Sequence, residues 1–101
     1  EEMQNRFRQL ITLAARLRQS PPARADQVDL YFSGDACYDA IEAAIAEARH
    51  HIHIEVYIWE PGRIADHFLK RLCEQARRRV PVRVLVDDVG SGHANERYFA
   101  P

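Results

Sequence analysis

The stretch HHIHIEVYIWE, from His50 to Glu60, alternates apolar with polar or aromatic residues and predicts a β-strand over Ile52 to Trp59. Side chains on a strand point alternately to its two faces. The predicted polar or aromatic face holds His51, His53, Glu55, Tyr57 and Trp59, and the apolar face holds Ile52, Ile54, Val56 and Ile58. We expect the apolar face to pack under a helix.

Two more strands are predicted around this one. VDLYF, residues 28–32, alternates in the same way, whereas VPVRVLVDD, residues 80–88, is nearly all apolar and predicts a strand buried on both faces. Apolar stripes at helical spacing lie between the strands, with Asp35 expected as the cap of the first helix and Pro61 at the first position of the second. This order predicts an α/β fold with a parallel β-α-β-α-β unit.

The region before the first predicted strand has a different pattern. Residues 1–19 predict an amphipathic helix, residues 20–27 a linker broken by two prolines, and residues 28–101 a partial α/β domain. The helical stripe consists of Met3, Phe7, Leu10, Ile11, Ala14 and Leu17. Its arginines make an anionic lipid surface one interpretation, and packing against protein is favoured by the shortness of the stripe.

The composition excludes several classes. A net charge of −1 with 29% charged residues gives no general affinity for nucleic acid, so no nucleic-acid partner is expected. No apolar run approaches the roughly 20 residues that cross a bilayer, so a soluble chain is expected. Cys37 and Cys73 are predicted to be reduced thiols. A chain that begins at Glu1 and stops in a polar stretch is interpreted as a piece of a longer protein.

Ligands in parallel sheets bind beyond the carboxyl ends of the strands, which directs attention to the segment after the last predicted strand. Asp87 ends that strand, and its carboxylate could serve a site or could form the turn by bonding its own backbone. Gly90 and Ser91 could present backbone amides to a phosphate, although a flexible turn is the simpler interpretation.

The histidines of the opening stretch allow two interpretations. His51 and His53 could bind zinc with Glu55 or a cysteine, but no further metal-binding motif accompanies them, so neither a metal nor another cofactor is predicted. A carboxylate in the middle of a covered strand is costly unless it is paired. Glu55 therefore either reaches an active site, where His53 and Tyr57 would join it, or forms a structural ion pair with an arginine.

Three blocks of the chain, in this order and spacing, carry a family resemblance: Ala48-Arg49, the octapeptide HIHIEVYI at residues 51–58, and DDVGS at residues 87–91. Over residues 27–92 the chain resembles the amino-terminal half of bacterial cardiolipin synthases, in the phospholipase D superfamily. Pro81 departs from the glycine-valine wording usual before the last strand of this pattern.

The resemblance implies a longer enzyme that transfers a phosphatidyl group between two phosphatidylglycerols through a phosphohistidine. The family's catalytic signature, His-x-Lys-x4-Asp, is not present in the sequence, and its histidines are expected after Pro101. The chain alone is therefore predicted to be inactive. Glu55, Asp87, His53 and Tyr57 are the predicted supporting residues, and Gly90 and Ser91 form the predicted turn near the phosphate.

The implied partners are a phospholipid substrate, a membrane surface and a second phospholipase D-like half of the same protein, at the cytoplasmic face of the bacterial inner membrane. Two alternatives remain open from the sequence. One is a nuclease or phosphodiesterase of the same superfamily, and the other is a non-catalytic α/β module.

Overall fold

A computed structural model describes residues 1–100. Over these residues the chain forms four helices and two strands: α1 (Glu2–Arg18), α2 (Gly34–Glu47), β1 (Ile52–Val56), α3 (Arg63–Arg77), β2 (Val82–Val86) and α4 (Glu96–Phe99). The chain divides into two compact units, Glu1–Leu30 and the residues from Tyr31 onward. The fold is mixed α/β.

The first unit contains α1, whose sequence places apolar residues on one stripe and arginines on and beyond its edges. The C-cap of the helix is Gln19, which takes a left-handed backbone conformation with a φ of 53°. The amide of Ser20 then donates to the carbonyl of Ala15 at 3.1 Å, which closes the last turn. None of the residues of α1 is buried.

The predicted strand over residues 28–32 is not formed. Val28, Leu30 and Phe32 are 73%, 75% and 96% exposed. A strand is stabilised by a neighbouring strand and a covering layer, so alternation alone does not create one. The described residues therefore contain a two-stranded sheet, and the complete β-α-β-α-β unit is not confirmed.

Helix α2 starts two residues earlier than the predicted cap implies. Ser33 is the N-cap, because its Oγ accepts a hydrogen bond from the amide of Ala36 at 3.2 Å, and Asp35 lies in the first turn. At the other end, the side-chain amide of Gln75 donates to the carbonyl oxygens of Ile45 and Ala46. Gln75 is buried in α3, so this side chain connects the two helices.

Strands β1 and β2 are parallel, with Ile52 opposite Val82 and Val56 opposite Val86. The helix between them, α3, contacts both β2 and α2. The core consists of buried residues from the helices, the sheet and the loops before and after the strands: Ile45, Ile52, Trp59, Leu72, Val80 and Ala94. The apolar side chains of both strands that point to this side pack against it: Ile54, Val56, Val82, Val84 and Val86.

The other face of the sheet is open. His53 and Glu55 on β1, and Arg83 and Leu85 on β2, are exposed, with Leu85 at 62%. The prediction that β2 is buried on both faces was therefore wrong for the residues described, because α2 and α3 cover a single face of the sheet.

Candidate functional site

The loops that follow β1 and β2 are joined by the hydroxyl group of Ser91. The backbone amide of Trp59 donates to Ser91 Oγ at 2.8 Å, and the hydroxyl donates in turn to the carbonyl oxygen of Tyr57 at 3.1 Å. Ser91 is 3% exposed. One buried hydroxyl thus satisfies two backbone groups of the first loop, where each would be costly to leave unpaired.

The same contact explains why the opening stretch leaves the sheet early. The predicted strand to Trp59 ends at Val56, and the alternation does not continue: Ile58 is 61% exposed and Trp59 is buried. The expectation that Ile58 packs under a helix with Ile54 was wrong. The strand ends early because Ser91, some thirty residues further along the chain, holds the backbone of residues 57–59 in the loop.

Gly90 is needed at this junction for space. A Cβ atom on Gly90 would collide with the carbonyl oxygen of Tyr57, and the edge of the Tyr57 ring would lie 3.2 Å away. Gly92, two residues later, has its nearest neighbour at 3.6 Å, which is an ordinary contact. The close approach of the two loops therefore depends on the absence of a side chain at residue 90.

Asp87 builds the turn after β2. Its Oδ1 atom accepts hydrogen bonds from the amides of Val89 at 3.0 Å and Gly90 at 2.9 Å, and its carbonyl accepts one from the amide of Ser91 at 2.9 Å. This is the turn-forming interpretation of Asp87. The carboxylate is exposed, and the bonds from Val89 and Gly90 both use Oδ1, one of its two oxygens.

His53, Glu55 and Tyr57 follow the exposed face of β1 into the loop. The ring of His53 lies 4.6 Å from that of His51, centroid to centroid, and the ladder pairs His53 with Arg83. Glu55 is exposed rather than enclosed, so the cost of burying its charge does not arise here. The structure brings Tyr57 against Gly90 and Ser91 and leaves His53 and Glu55 further back on the strand.

A cavity of about 590 Å³ lies beside β1 and the loop after it. Its lining combines apolar residues of α2 and α3 with polar groups from β1 and its loop: Tyr38, Ile41, Ile45, His53, Ile54, Glu55, Val56, Ile58, Trp59, Glu60, Ile64, Ala65 and Phe68. His53 and Glu55, two candidates from the sequence, and Glu60 are thus among the residues that line this cavity.

The sequence reasoning did not identify a hydrogen-bonded group around Tyr98. The Tyr98 hydroxyl donates to Asp66 Oδ1 at 2.8 Å and accepts from the indole Nε1 of Trp59 at 3.3 Å. Burial raises the pKa of Tyr98, which keeps the hydroxyl protonated as the donor. These residues come from the β1 loop, α3 and α4, so no local spacing in the sequence could have indicated the group.

A histidine–glutamate pair also joins the loops after β1 and β2, nearer to solvent than Ser91. His93 Nδ1 lies 3.1 Å from Glu60 Oε1, and both side chains are largely exposed. An exposed pair of this kind contributes little to stability. Its position is the notable feature, because it places an imidazole and a carboxylate beside the turn that Asp87 and Ser91 form.

A network of charged side chains joins α2 and α3, away from the loops that follow the strands. Glu42 Oε1 is 3.0 Å from His67 Nε2 and 3.0 Å from Arg71 Nε, and Arg71 Nη1 is 3.0 Å from Glu74 Oε2. The hydrogen bond from His67 is the main cause that lowers the pKa of Glu42, and the bond from Arg71 lowers the pKa of Glu74. This network holds the two helices together over the covered face of the sheet.

Two further observations concern residues 1–100 alone. They contain no group of three or more histidine, cysteine, aspartate or glutamate side chains positioned to hold a metal ion. In the same residues, every helix is too short or too polar to pass through a lipid bilayer.

The described residues define a mixed α/β chain with polar groups gathered where two parallel strands end. Sequence comparison relates it to one group of proteins. The chain is 37% identical over 92 residues to the cardiolipin synthase of Geobacillus kaustophilus, a match that covers 91% of the chain and 18% of that relative. It is 35% identical over 81 residues to cardiolipin synthase 1 of Bacillus cereus, covering 80% of the chain and 16% of the relative.

A third relative comes from a different bacterial group. Cardiolipin synthase A of Cronobacter sakazakii is 35% identical over 82 residues, which covers 81% of the chain and 17% of the relative. The predicted resemblance to bacterial cardiolipin synthases is confirmed. The chain spans less than a fifth of the length of these curated relatives. No family model and no solved structure matches it.

Proposed function

We propose that this chain is part of a phosphatidyl transferase of the cardiolipin synthase type, within the phospholipase D superfamily. The observation that carries the proposal is the identity of 35% to 37% with cardiolipin synthases of three bacterial genera over at least 80% of the chain. Transferase chemistry and a phospholipid substrate, phosphatidylglycerol, come to this chain through that similarity.

The proposed reaction has two steps. A histidine nitrogen attacks the phosphorus of one phosphatidylglycerol, and the bond to the glycerol oxygen breaks as a second histidine protonates the departing alcohol. A hydroxyl group of the second phosphatidylglycerol then attacks the phosphohistidine, gives up its proton and releases the first histidine, which leaves cardiolipin and free glycerol. Lysines beside the phosphate offset the charge that grows in the transition state.

The residues of this chain would support that reaction without performing its covalent steps, because the sequence contains no His-x-Lys-x4-Asp motif. Ser91 and Gly90 would fix the two loops at the site edge. Glu55, with His53 beside it in the cavity lining, would orient an imidazole from the remainder of the protein, and Tyr57 and Asp87 would shape the approach.

The proposed partners follow from this chemistry. The substrate resides in a bilayer, so we place the longer protein at the cytoplasmic face of the bacterial inner membrane. A second phospholipase D-like half of the same protein would supply the second histidine. The chain taken alone would be inactive.

The test is phosphatidyl transfer by the full-length protein that contains this chain, with labelled phosphatidylglycerol in detergent micelles. We expect labelled cardiolipin and free glycerol from the full-length protein and neither product from residues 1–101. Hydrolysis of DNA or RNA without cardiolipin formation would identify a nuclease instead. Cardiolipin formation by residues 1–101 would contradict the proposed division of roles.

A further inference from the structure

Helix α1 presents a large apolar surface to solvent. Its stripe residues are exposed to different degrees: Met3 83%, Phe7 64%, Leu10 63%, Ile11 38% and Leu17 77%. Leu13, beside the stripe, is 54% exposed. A contiguous apolar face of this kind on a folded helix marks an interaction surface.

The charges of α1 indicate the chemistry of its partner. Between Glu2 and Arg18 the helix carries four arginines and one glutamate, a formal charge of +3, in a chain whose net charge is −1. Positive charge is therefore concentrated on the helix that has the exposed apolar stripe. Guanidinium groups form bidentate hydrogen bonds with phosphate oxygens, and their long stems let the charge reach past an apolar boundary.

The positions of the arginines fit a surface rather than a groove. At 100° per residue, Arg6 and Arg18 flank the stripe on opposite sides, whereas Arg8 and Arg16 lie on the polar side of the helix. A flat lipid surface would place both edges of the helix at the level of the headgroups at once. The 17 residues of α1 extend roughly 25 Å, and their polar side rules out a spanning orientation.

We propose that α1 lies flat in the interface of an anionic phospholipid bilayer, with its apolar stripe among the acyl chains and its arginines at the phosphates. This inference rests on the proposed function, because a substrate that resides in a membrane brings the protein to the bilayer on which the helix would lie. It identifies the element and the lipid charge that bring the protein to its substrate.

The experiment is co-sedimentation of the 101-residue chain with vesicles of phosphatidylcholine alone or of equal parts phosphatidylcholine and phosphatidylglycerol. We expect at least about tenfold tighter binding to the phosphatidylglycerol vesicles, weakened by added salt. Leu10→Glu, and separately the double variant Arg6→Gln/Arg18→Gln, should each lower this affinity about tenfold or more.

Matched controls carry the same chemical changes outside the helix. Leu30→Glu alters a leucine that is 75% exposed, and Arg63→Gln/Arg97→Gln removes two exposed arginines of the second unit. Both controls should bind within about twofold of the unaltered chain. Because α1 has no buried residues, its variants should keep their fold, which far-ultraviolet circular dichroism would verify.

Equal binding to both vesicle types, or unchanged binding of Leu10→Glu, would overturn the inference. So would sedimentation of the lipid-free chain as a dimer that Leu10→Glu converts to a monomer without vesicle binding, since the stripe would then be a contact between two copies. Failure of the proposed function looks different: vesicles would be bound while the full-length protein made no cardiolipin in micelles. Cardiolipin formation in micelles without vesicle binding would overturn the inference alone.

Discussion

The same ten residues form the two faces of the β1–β2 sheet, and one face is covered while the other is exposed. Ile52, Ile54 and Val56 pack against the core under α2 and α3, whereas His53 and Glu55 on the same strand remain exposed. Parallel sheets are nearly always covered on both sides. The covered face therefore carries the stability of this sheet, and the open face is available for chemistry or for contact with the remainder of a longer protein.

The largest expected effect comes from a charge on the covered face. Ile54→Asp puts a carboxylate among apolar side chains and removes a packed aliphatic group. We expect a loss of about 3 to 5 kcal/mol in the free energy of unfolding, enough to unfold a domain of this size. Chemical denaturation followed by circular dichroism measures it.

The control for Ile54→Asp is Leu85→Asp on the open face of β2. Leu85 is 62% exposed, so this variant should lose less than about 1 kcal/mol. If the two variants unfold at the same denaturant concentration, the two faces do not differ in the way described here.

On the open face, Glu55→Gln should leave stability within about 0.5 kcal/mol, because the side chain is exposed and the amide keeps its volume. In the full-length protein we expect turnover to fall roughly tenfold to a thousandfold, the range for a partner in acid–base catalysis. Rates and melting temperatures of Glu55→Gln and of Glu47→Gln, an exposed carboxylate on α2, would be compared. Early melting with normal turnover would make Glu55 a structural residue.

The next effect concerns the carboxyl end of the sheet, where the loops after β1 and β2 contact each other. Gly90→Ala places a methyl group against the carbonyl of Tyr57, and the contact is with backbone, which cannot rotate away. A loss of about 1 to 3 kcal/mol is expected, as for other forced overpacking. Gly92→Ala is the matched control and should be nearly neutral, because its new atom meets an ordinary contact at 3.6 Å. Equal melting of the two variants would contradict the close approach of the loops.

The sequence could predict what depends on local pattern. The strand at Ile52–Val56, the helices on either side of it and the amphipathic stripe of α1 each follow from the spacing of apolar residues within a short window. Residues 28–32 show the limit, since they alternate as clearly as β1 and form no strand. Alternation indicates which face of a strand would be buried. It does not provide the neighbouring strand or the helix layer that would cover that face.

The candidate site was less predictable because its contacts join distant residues. Ser91 reaches back to Tyr57 and Trp59, and Tyr98 reaches Asp66, over separations of more than thirty residues. Asp87 is the exception, because an aspartate before a glycine turn indicates a local hydrogen bond that the structure contains. Whether Glu55 and His53 serve the reaction stays a prediction.

The smallest effect tests how the covering helices are held over the buried face. His67 and Arg71 both bind Glu42 Oε1, and these bonds keep the pKa of Glu42 below its ordinary value of 4.5 in the folded state. A carboxyl group with a lowered folded pKa stabilises the fold above its unfolded pKa, and this contribution is lost as the pH falls through the folded pKa. Since these groups are partly exposed, water weakens the interaction and the contribution is small.

Glu42→Gln should therefore melt slightly below the unaltered chain at about pH 7, and the difference should shrink as the pH falls through the lowered folded pKa of Glu42. Glu74, whose pKa Arg71 also lowers, titrates in the same direction and is present in both proteins. Glu47→Gln on the same helix is the control and should show no such dependence on pH. A difference between Glu42→Gln and the unaltered chain that does not diminish as the solution is acidified would mean that Glu42 contributes through packing rather than through its charge.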